Sequence, residues 1–182
     1  MRFSTNLLRW LGVLSIGLLP VSGAFADPSR IPNRLIDYAG FKALTNEIHA
    51  VREHRRITER AFVEMSGDEH TVILDSRSAA QYALMHVAGA VNVAFADMTA
   101  DTLAEVIPST SSRVLIYCNN NFENAPVAFP TKMIKAALNV PTFITLHAYG
   151  YGNVYELGPV IDPATSEIAF SGVRARSAVR AN

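Results

Sequence analysis

The residue best equipped for chemistry is Cys118, the one cysteine in a chain of 182 residues. It follows the apolar run Arg113-Val114-Leu115-Ile116-Tyr117 and precedes Asn119-Asn120-Asn121-Phe122-Glu123-Asn124. A cysteine delivered by a strand into a tight loop and then a helix faces converging backbone N–H groups and a helix N-terminus. Both favour a thiolate and a bound anion, which makes the position suitable for a sulfur nucleophile. The plain alternative is a thiol buried as cysteines usually are. A single sulfur excludes an internal disulfide and a Cys-cluster metal site. His49, His54 and His70 have neither the spacing nor the acidic company of metal ligands, so no metal and no cofactor are expected. In the loop itself the asparagines tolerate left-handed backbone and can donate amide N–H to an anion. The loop supplies no cation, and Glu123 is expected to face outward near the N-terminus of a following helix.

Alternating elements must hold that cysteine. Thr71-Val72-Ile73-Leu74 is a short apolar, β-branched run of the kind buried on both faces of a parallel sheet, ending at Asp75-Ser76-Arg77. The pattern predicts a helix over 78–85, a strand over 90–93, a helix over 99–106 capped by Thr99 or Asp101, and the strand 113–117 that carries Cys118. A βαβαβ order argues for a mostly parallel sheet, whose ligands bind beyond the carboxyl ends of its strands. Upstream, Leu35, Ile36, Tyr38, Phe41, Leu44, Ile48 and Val51 recur at helical spacing up to Arg52-Glu53-His54-Arg55-Arg56, a basic cluster read as a solvated helix end. A second helix starts at an N-cap Thr58 and stops at Ser66-Gly67. Downstream of the loop, Pro126 and Pro130 interrupt the expected helix, Lys132 to Leu138 resumes it, and Asn139-Val140-Pro141 breaks it before a helix from Thr142 to Tyr149. This stretch reads as an insertion beside the site. Lys132 or Lys135 is a candidate for the missing cation, and His147, Tyr149 and Tyr151 are candidate pocket residues.

Taken in order, Asp75-Ser76-Arg77, Tyr82, His86-Val87-Ala88-Gly89-Ala90-Val91-Asn92, the strand delivering Cys118, and Tyr149-Gly150-Tyr151-Gly152-Asn153-Val154-Tyr155 resemble a rhodanese-like domain. The resemblance implies an α/β fold with a five-stranded, mostly parallel sheet and helices on both faces. It also implies a loop, here Asn119, Asn120, Asn121, Phe122, Glu123 and Asn124, that cradles an oxyanion or a persulfide sulfur. Active members of the family move sulfane sulfur from a donor such as thiosulfate to the cysteine and on to a thiophilic acceptor, while others are catalytically silent. Cys118 is then the catalytic residue, and Asp75, Arg77, His86 and Gly89 shape the motif. The resemblance departs at the loop, which lacks the family's Gly and its basic or hydroxyl residue, and a phosphatase reading fails for want of an arginine. The leading function is a sulfurtransferase or sulfur carrier. The alternative is a non-catalytic module that binds a small anion or a partner protein, and redox sensing at Cys118 is a third reading that needs a partner thiol.

The first 26 residues have the build of a secretory signal: Arg2 and Arg9 flank the start of an apolar run from Leu7 to Leu19, and Ala24-Phe25-Ala26 precedes Asp27. The run is shorter than the roughly 20 residues a membrane span needs. The expected organisation is therefore a signal peptide over 1–26, a helical extension over 27–55, the rhodanese-like domain over 56–163 and a partly disordered arm over 164–182. Export would place the protein in a periplasm or outside the cell, with no membrane attachment after cleavage. Sixteen basic residues balance sixteen acidic ones, which gives no reason to expect nucleic acid. The expected partners are a small sulfur-containing anion, a thiol acceptor and a periplasmic protein.

Overall fold

In the computed structural model the described residues are 33–175, so the signal segment and residues 176–182 lie outside them. The chain divides into two units, Met1–Ile36 and Asp37–Asn182. Of the first, the described part is a turn in which Asn33 accepts from the backbone N–H of Leu35 and Ile36. The second unit, Asp37–Asn182, holds the sheet.

Its elements run α1 (Tyr38–His54), β1 (Arg56–Ile57), α2 (Glu59–Ser66), β2 (Thr71–Asp75), α3 (Ala79–Leu84), β3 (His86–Val87) and β4 (Val91–Asn92). They continue with α4 (Ala100–Val106), β5 (Arg113–Tyr117), α5 (Asn139–Ala148), β6 (Val154–Leu157) and β7 (Phe170–Ser171). Five strands form a parallel sheet in the order β1-β6-β5-β2-β4. The two remaining strands, β3 and β7, pair antiparallel as a separate ribbon.

Alternation along the central strands decides what each face covers. Ile73, Leu115 and Tyr117 belong to one buried cluster with Phe62 of α2, against which Tyr82 and Leu84 of α3 pack. Leu74, Val114 and Ile116 belong to the other, with Ile48 of α1, Leu103 of α4 and Phe143 and Leu146 of α5. Helices therefore cover both faces, and this is why the central strands read as unbroken apolar runs. Side-chain caps fix the helix starts: Thr58 accepts from the Ala61 N–H at 3.2 Å, Ser78 from Gln81 at 3.4 Å and Thr99 from Thr102 at 3.1 Å.

Three features differ from the sequence reading. Of the cluster Arg52-Glu53-His54-Arg55-Arg56, residues 52–54 do close α1 with Glu53 and His54 exposed, but Arg52 is tied to Glu156 and Arg56 runs on with Ile57 into an edge strand in register with Glu156 and Leu157. The stretch 132–138 is not a helix but one 3-10 turn over Ile134–Ala136, since Met133 and Ile134 find nothing to bury against and stand 75% and 80% exposed. Pro141 does not break the chain. It sits in the first turn of α5, where its absent N–H has no intrahelical partner to lose, so the helix begins at Asn139. At the other end of the unit, β7 and the backbone bonds from Val173 to Ala83 and from Arg174 to Leu84 hold residues 170–174 against α3 and β3.

Candidate functional site

The carboxyl ends of β2 and β5 are tied together by a buried polar knot. Arg77, 1% exposed, donates from Nε to both oxygens of Asp75 at 2.9 and 3.1 Å, and its Nη atoms reach the carbonyls of Ala128 at 3.0 Å and Met85 at 2.7 Å. Asp75 also accepts from the Tyr117 hydroxyl at 2.6 Å, and Phe129 lies under the guanidinium at 4.4 Å. Asp75 and Arg77 thus join β2 and β5 to the segment that follows the cysteine loop. Their burial leaves no surface for a ligand. His86 stacks on Tyr82 at 3.7 Å, with Nδ1 2.7 Å from the Tyr82 carbonyl. Gly89 takes φ 81° in the turn closed by the bond from Ala90 N–H to Val87 O, a conformation that suits glycine.

Cys118 follows β5 directly and is 2% exposed. Asn119–Asn121 form a 3-10 turn, so the left-handed conformation expected of the asparagine run falls instead on Asn124, at φ 58°. Asn121 is the organiser of the turn. Its Oδ1 accepts from the Cys118 N–H and from Asn139 Nδ2, both at 2.9 Å, and its Nδ2 donates to the carbonyls of Leu157 and Pro159. Asn120 pairs through its amide with the backbone of Lys132 in both directions, at 2.8 and 2.9 Å. Phe122 is buried among Tyr117, Phe129 and Phe170. Glu123 is exposed, as expected, although no helix follows it directly. Asn124 turns away to bond Asp162 at 2.8 Å.

A cavity of about 280 Å³ opens beside the cysteine, and Cys118, Asn120, Asn121, Ile134, Asn139 and Glu156 are among the residues lining it. Arg52 and Arg56 line it too. The cations that the loop lacks are therefore brought by the end of α1 and by β1, and not by Lys132, whose side chain is outside the cavity and exposed. Edge pairing of β1 with β6 causes this, because it sets Arg56 opposite Glu156. Glu156, 5% exposed, holds Arg52 Nη2 at 2.8 Å. His147 and Tyr149 are likewise not in the cavity wall: His147 stacks on Phe143 at 4.4 Å, and the Tyr149 hydroxyl donates to the Met98 carbonyl at 3.3 Å. Tyr151 is buried in the cluster beneath α1, α4 and α5. Of the sequence-derived candidates, Cys118, Asn120 and Asn121 come together. Arg52, Arg56, Asn139 and Glu156 were missed, although a glutamate inside the apolar run Val154-Tyr155-Glu156-Leu157 was a legible signal.

Burial pushes the Cys118 thiol above its ordinary pKa, and the Glu156 carboxylate adds to this. The backbone N–H dipoles of Asn139, Asn120 and Leu138 oppose it by favouring the thiolate. Two of these, Leu138 and Asn139, stand at the start of α5, so the N-terminus of that helix lies beside the cysteine.

A match to the rhodanese-like domain spans residues 58–157, more than half of the chain. The chain belongs to the rhodanese-like domain family. Both arginines of the cavity precede the matched rhodanese-like segment. Among solved structures, the chain resembles the rhodanese-like domain of an Anabaena sp. protein, with 18% identity, 66% of this chain and 80% of that one covered, and a TM-score of 0.43. A thiosulfate sulfurtransferase from Pseudomonas aeruginosa is also similar, with 18% identity, 78% of this chain and 27% of that one covered, and a TM-score of 0.45. A Bacillus halodurans protein shows 15% identity, with 65% and 75% covered and a TM-score of 0.41. No curated protein matches the chain.

Proposed function

We propose that this rhodanese-like protein carries or transfers sulfane sulfur as a persulfide on Cys118. The observation that supports the reading is the shared cavity: a thiol at the end of β5, the start of α5 and the Asn119–Asn121 turn beside it, and two guanidinium groups in the same wall. In this reaction the Cys118 thiolate attacks the outer sulfur of a donor, the donor's bond to that sulfur breaks, and the leaving group departs with the electron pair. Cys118 keeps one extra sulfur, which an acceptor thiolate removes by the same displacement in reverse. A small sulfur-containing anion or a thiol is the proposed reaction partner, and a periplasmic protein is a proposed acceptor. Export through the segment 1–26 is part of the proposal and rests on Arg2, Arg9, the apolar run and Ala24-Phe25-Ala26.

The test is thiocyanate release when the protein turns over a sulfane donor in the presence of cyanide. Turnover by the parent and none by Cys118→Ser is the expected result, and equal turnover by both refutes the proposal. A second reading, a non-catalytic module binding a small anion or a protein, is favoured by the deep burial of the thiol and by Glu156 beside it. That reading requires no turnover with any donor and binding that survives Cys118→Ser.

A further inference from the structure

The cavity beside Cys118 is not shaped for a simple anion. Glu156 is a carboxylate whose side chain keeps 6% of its surface, and only its Oε1 is answered, by Arg52. Its Oε2 is buried and has no hydrogen-bond partner. Asn139, 4% exposed, donates its amide to Asn121, and its Oδ1 is likewise buried without a partner. The wall around the thiol therefore holds two buried acceptors with no donor, against one buried donor, Arg52 Nε, with no acceptor, so at least one acceptor stays unanswered at a cost in free energy until a donor arrives. In the same wall, Arg56 keeps 43% of its side-chain surface, and its only carboxylate neighbour among the described residues, Glu53 at 3.7 Å, is shared with Arg52. Its donors are open to a ligand.

These groups ask for different things. An inorganic dianion such as thiosulfate could engage Arg56, but it would bring negative charge towards Glu156 and leave both acceptors unanswered. A neutral thiol would leave Arg56 unused. A molecule carrying an ammonium, a carboxylate and a sulfur answers all of them, and a cavity of about 280 Å³ is of the size for a small metabolite. We infer that the sulfur compound meeting Cys118 is an amino-acid thiol or its hydropersulfide, with its ammonium on Glu156 Oε2 and Asn139 Oδ1 and its carboxylate on Arg56. The inference rests on the sulfur-transfer reading of Cys118 and narrows its substrate class. Transfer is then an exchange without added oxidant: Cys118 thiolate attacks the outer sulfur of R–S–SH, the S–S bond breaks, R–S⁻ leaves and takes up the proton, and Cys118 becomes the persulfide. An ammonium beside Glu156 also cancels the carboxylate charge that disfavours the thiolate, so this ligand assists its own reaction.

The experiment is a time course of intact mass for the full chain given L-cysteine hydropersulfide or 3-mercaptopropionate hydropersulfide, which keeps the carboxylate and lacks the ammonium. Sulfur gain from the cysteine compound is expected to be at least about tenfold faster, the scale of one charge-assisted hydrogen bond. Glu156→Gln is expected to abolish that preference, and Arg56→Gln to slow loading from both compounds. Equal rates from the two donors on the parent protein overturn the inference and leave the sulfur-transfer reading standing. A preference that persists in folded Glu156→Gln also overturns it. No sulfur gain from either hydropersulfide overturns the inference, and no gain from thiosulfate as well refutes the sulfur-transfer reading with it. Because the ammonium also makes the cysteine thiolate the better leaving group, the ratio is read against the ratio of the same two donors with free N-acetylcysteine, and a ratio no larger on the parent protein overturns the inference even if Glu156→Gln does not fold.

Discussion

Replacing Arg77 with methionine removes the centre of the polar knot that joins β2 and β5 to the segment after the cysteine loop. Asp75, 0% exposed, keeps the Tyr117 hydroxyl and the Arg77 backbone N–H as donors but loses its counter-charge. Breaking one side of a buried ion pair costs roughly 3–5 kcal/mol. The carbonyls of Ala128 and Met85 lose their guanidinium donors as well, at about 1–3 kcal/mol for each one left unsatisfied. Methionine recovers part of this by filling the space over Phe129, so a net loss of at least about 4 kcal/mol is expected, against a typical total of roughly 5–15 kcal/mol. With a urea dependence of about 2 kcal/mol per molar, the unfolding midpoint should fall by about 2 M, read by circular dichroism. Asp75→Asn combined with Arg77→Met should cost less than the two single changes added, because the orphaned charge is gone. A fall below about 0.5 M for Arg77→Met would mean that the pair contributes little and that the knot does not position the loop.

Other outcomes follow from the same geometry. Because burial and Glu156 raise the Cys118 pKa, little thiolate is present at neutral pH, and alkylation by iodoacetamide should keep accelerating above the range where free cysteine levels off; Glu156→Gln should move that rise to lower pH. Asn121→Ala removes two accepted and two donated hydrogen bonds at once and should lower stability by about 2 kcal/mol or more, measured by thermal unfolding. Gly172 has φ 114°, and an added Cβ would lie 2.7 Å from the Leu84 carbonyl, so Gly172→Ala should cost about 1–3 kcal/mol in the same assay and loosen the ribbon of β3 with β7.

The central strands were legible because burial on both faces writes itself as unbroken apolar runs, and the caps at Thr58 and Thr99 were legible because their side chains act locally. The cysteine was legible by its place after such a strand. Its surroundings were not. β1 is two residues long and pairs with a strand about a hundred positions later, so no local pattern announces it, yet it is what brings Arg56 to the cavity. Arg52 sits in a helix whose last turn welcomes cations for local reasons, and this masked its distant partner Glu156. Pro141 misled for the opposite reason: a proline in a helical pattern reads as a break unless it falls in the first turn, and that depends on where the helix starts. The run of three asparagines suggested left-handed backbone, whereas the 3-10 turn is held by Asn121 reaching back to the Cys118 N–H.

The most direct test of sulfur chemistry at Cys118 is the intact mass of the purified protein after incubation with a sulfane donor, with Cys118→Ser alongside. Gain of a single sulfur atom by the parent alone, reversed by cyanide, is the expected result. A parent that gains no sulfur from thiosulfate or from any hydropersulfide, or a serine variant that gains it equally, would contradict the assignment of Cys118 as the sulfur carrier.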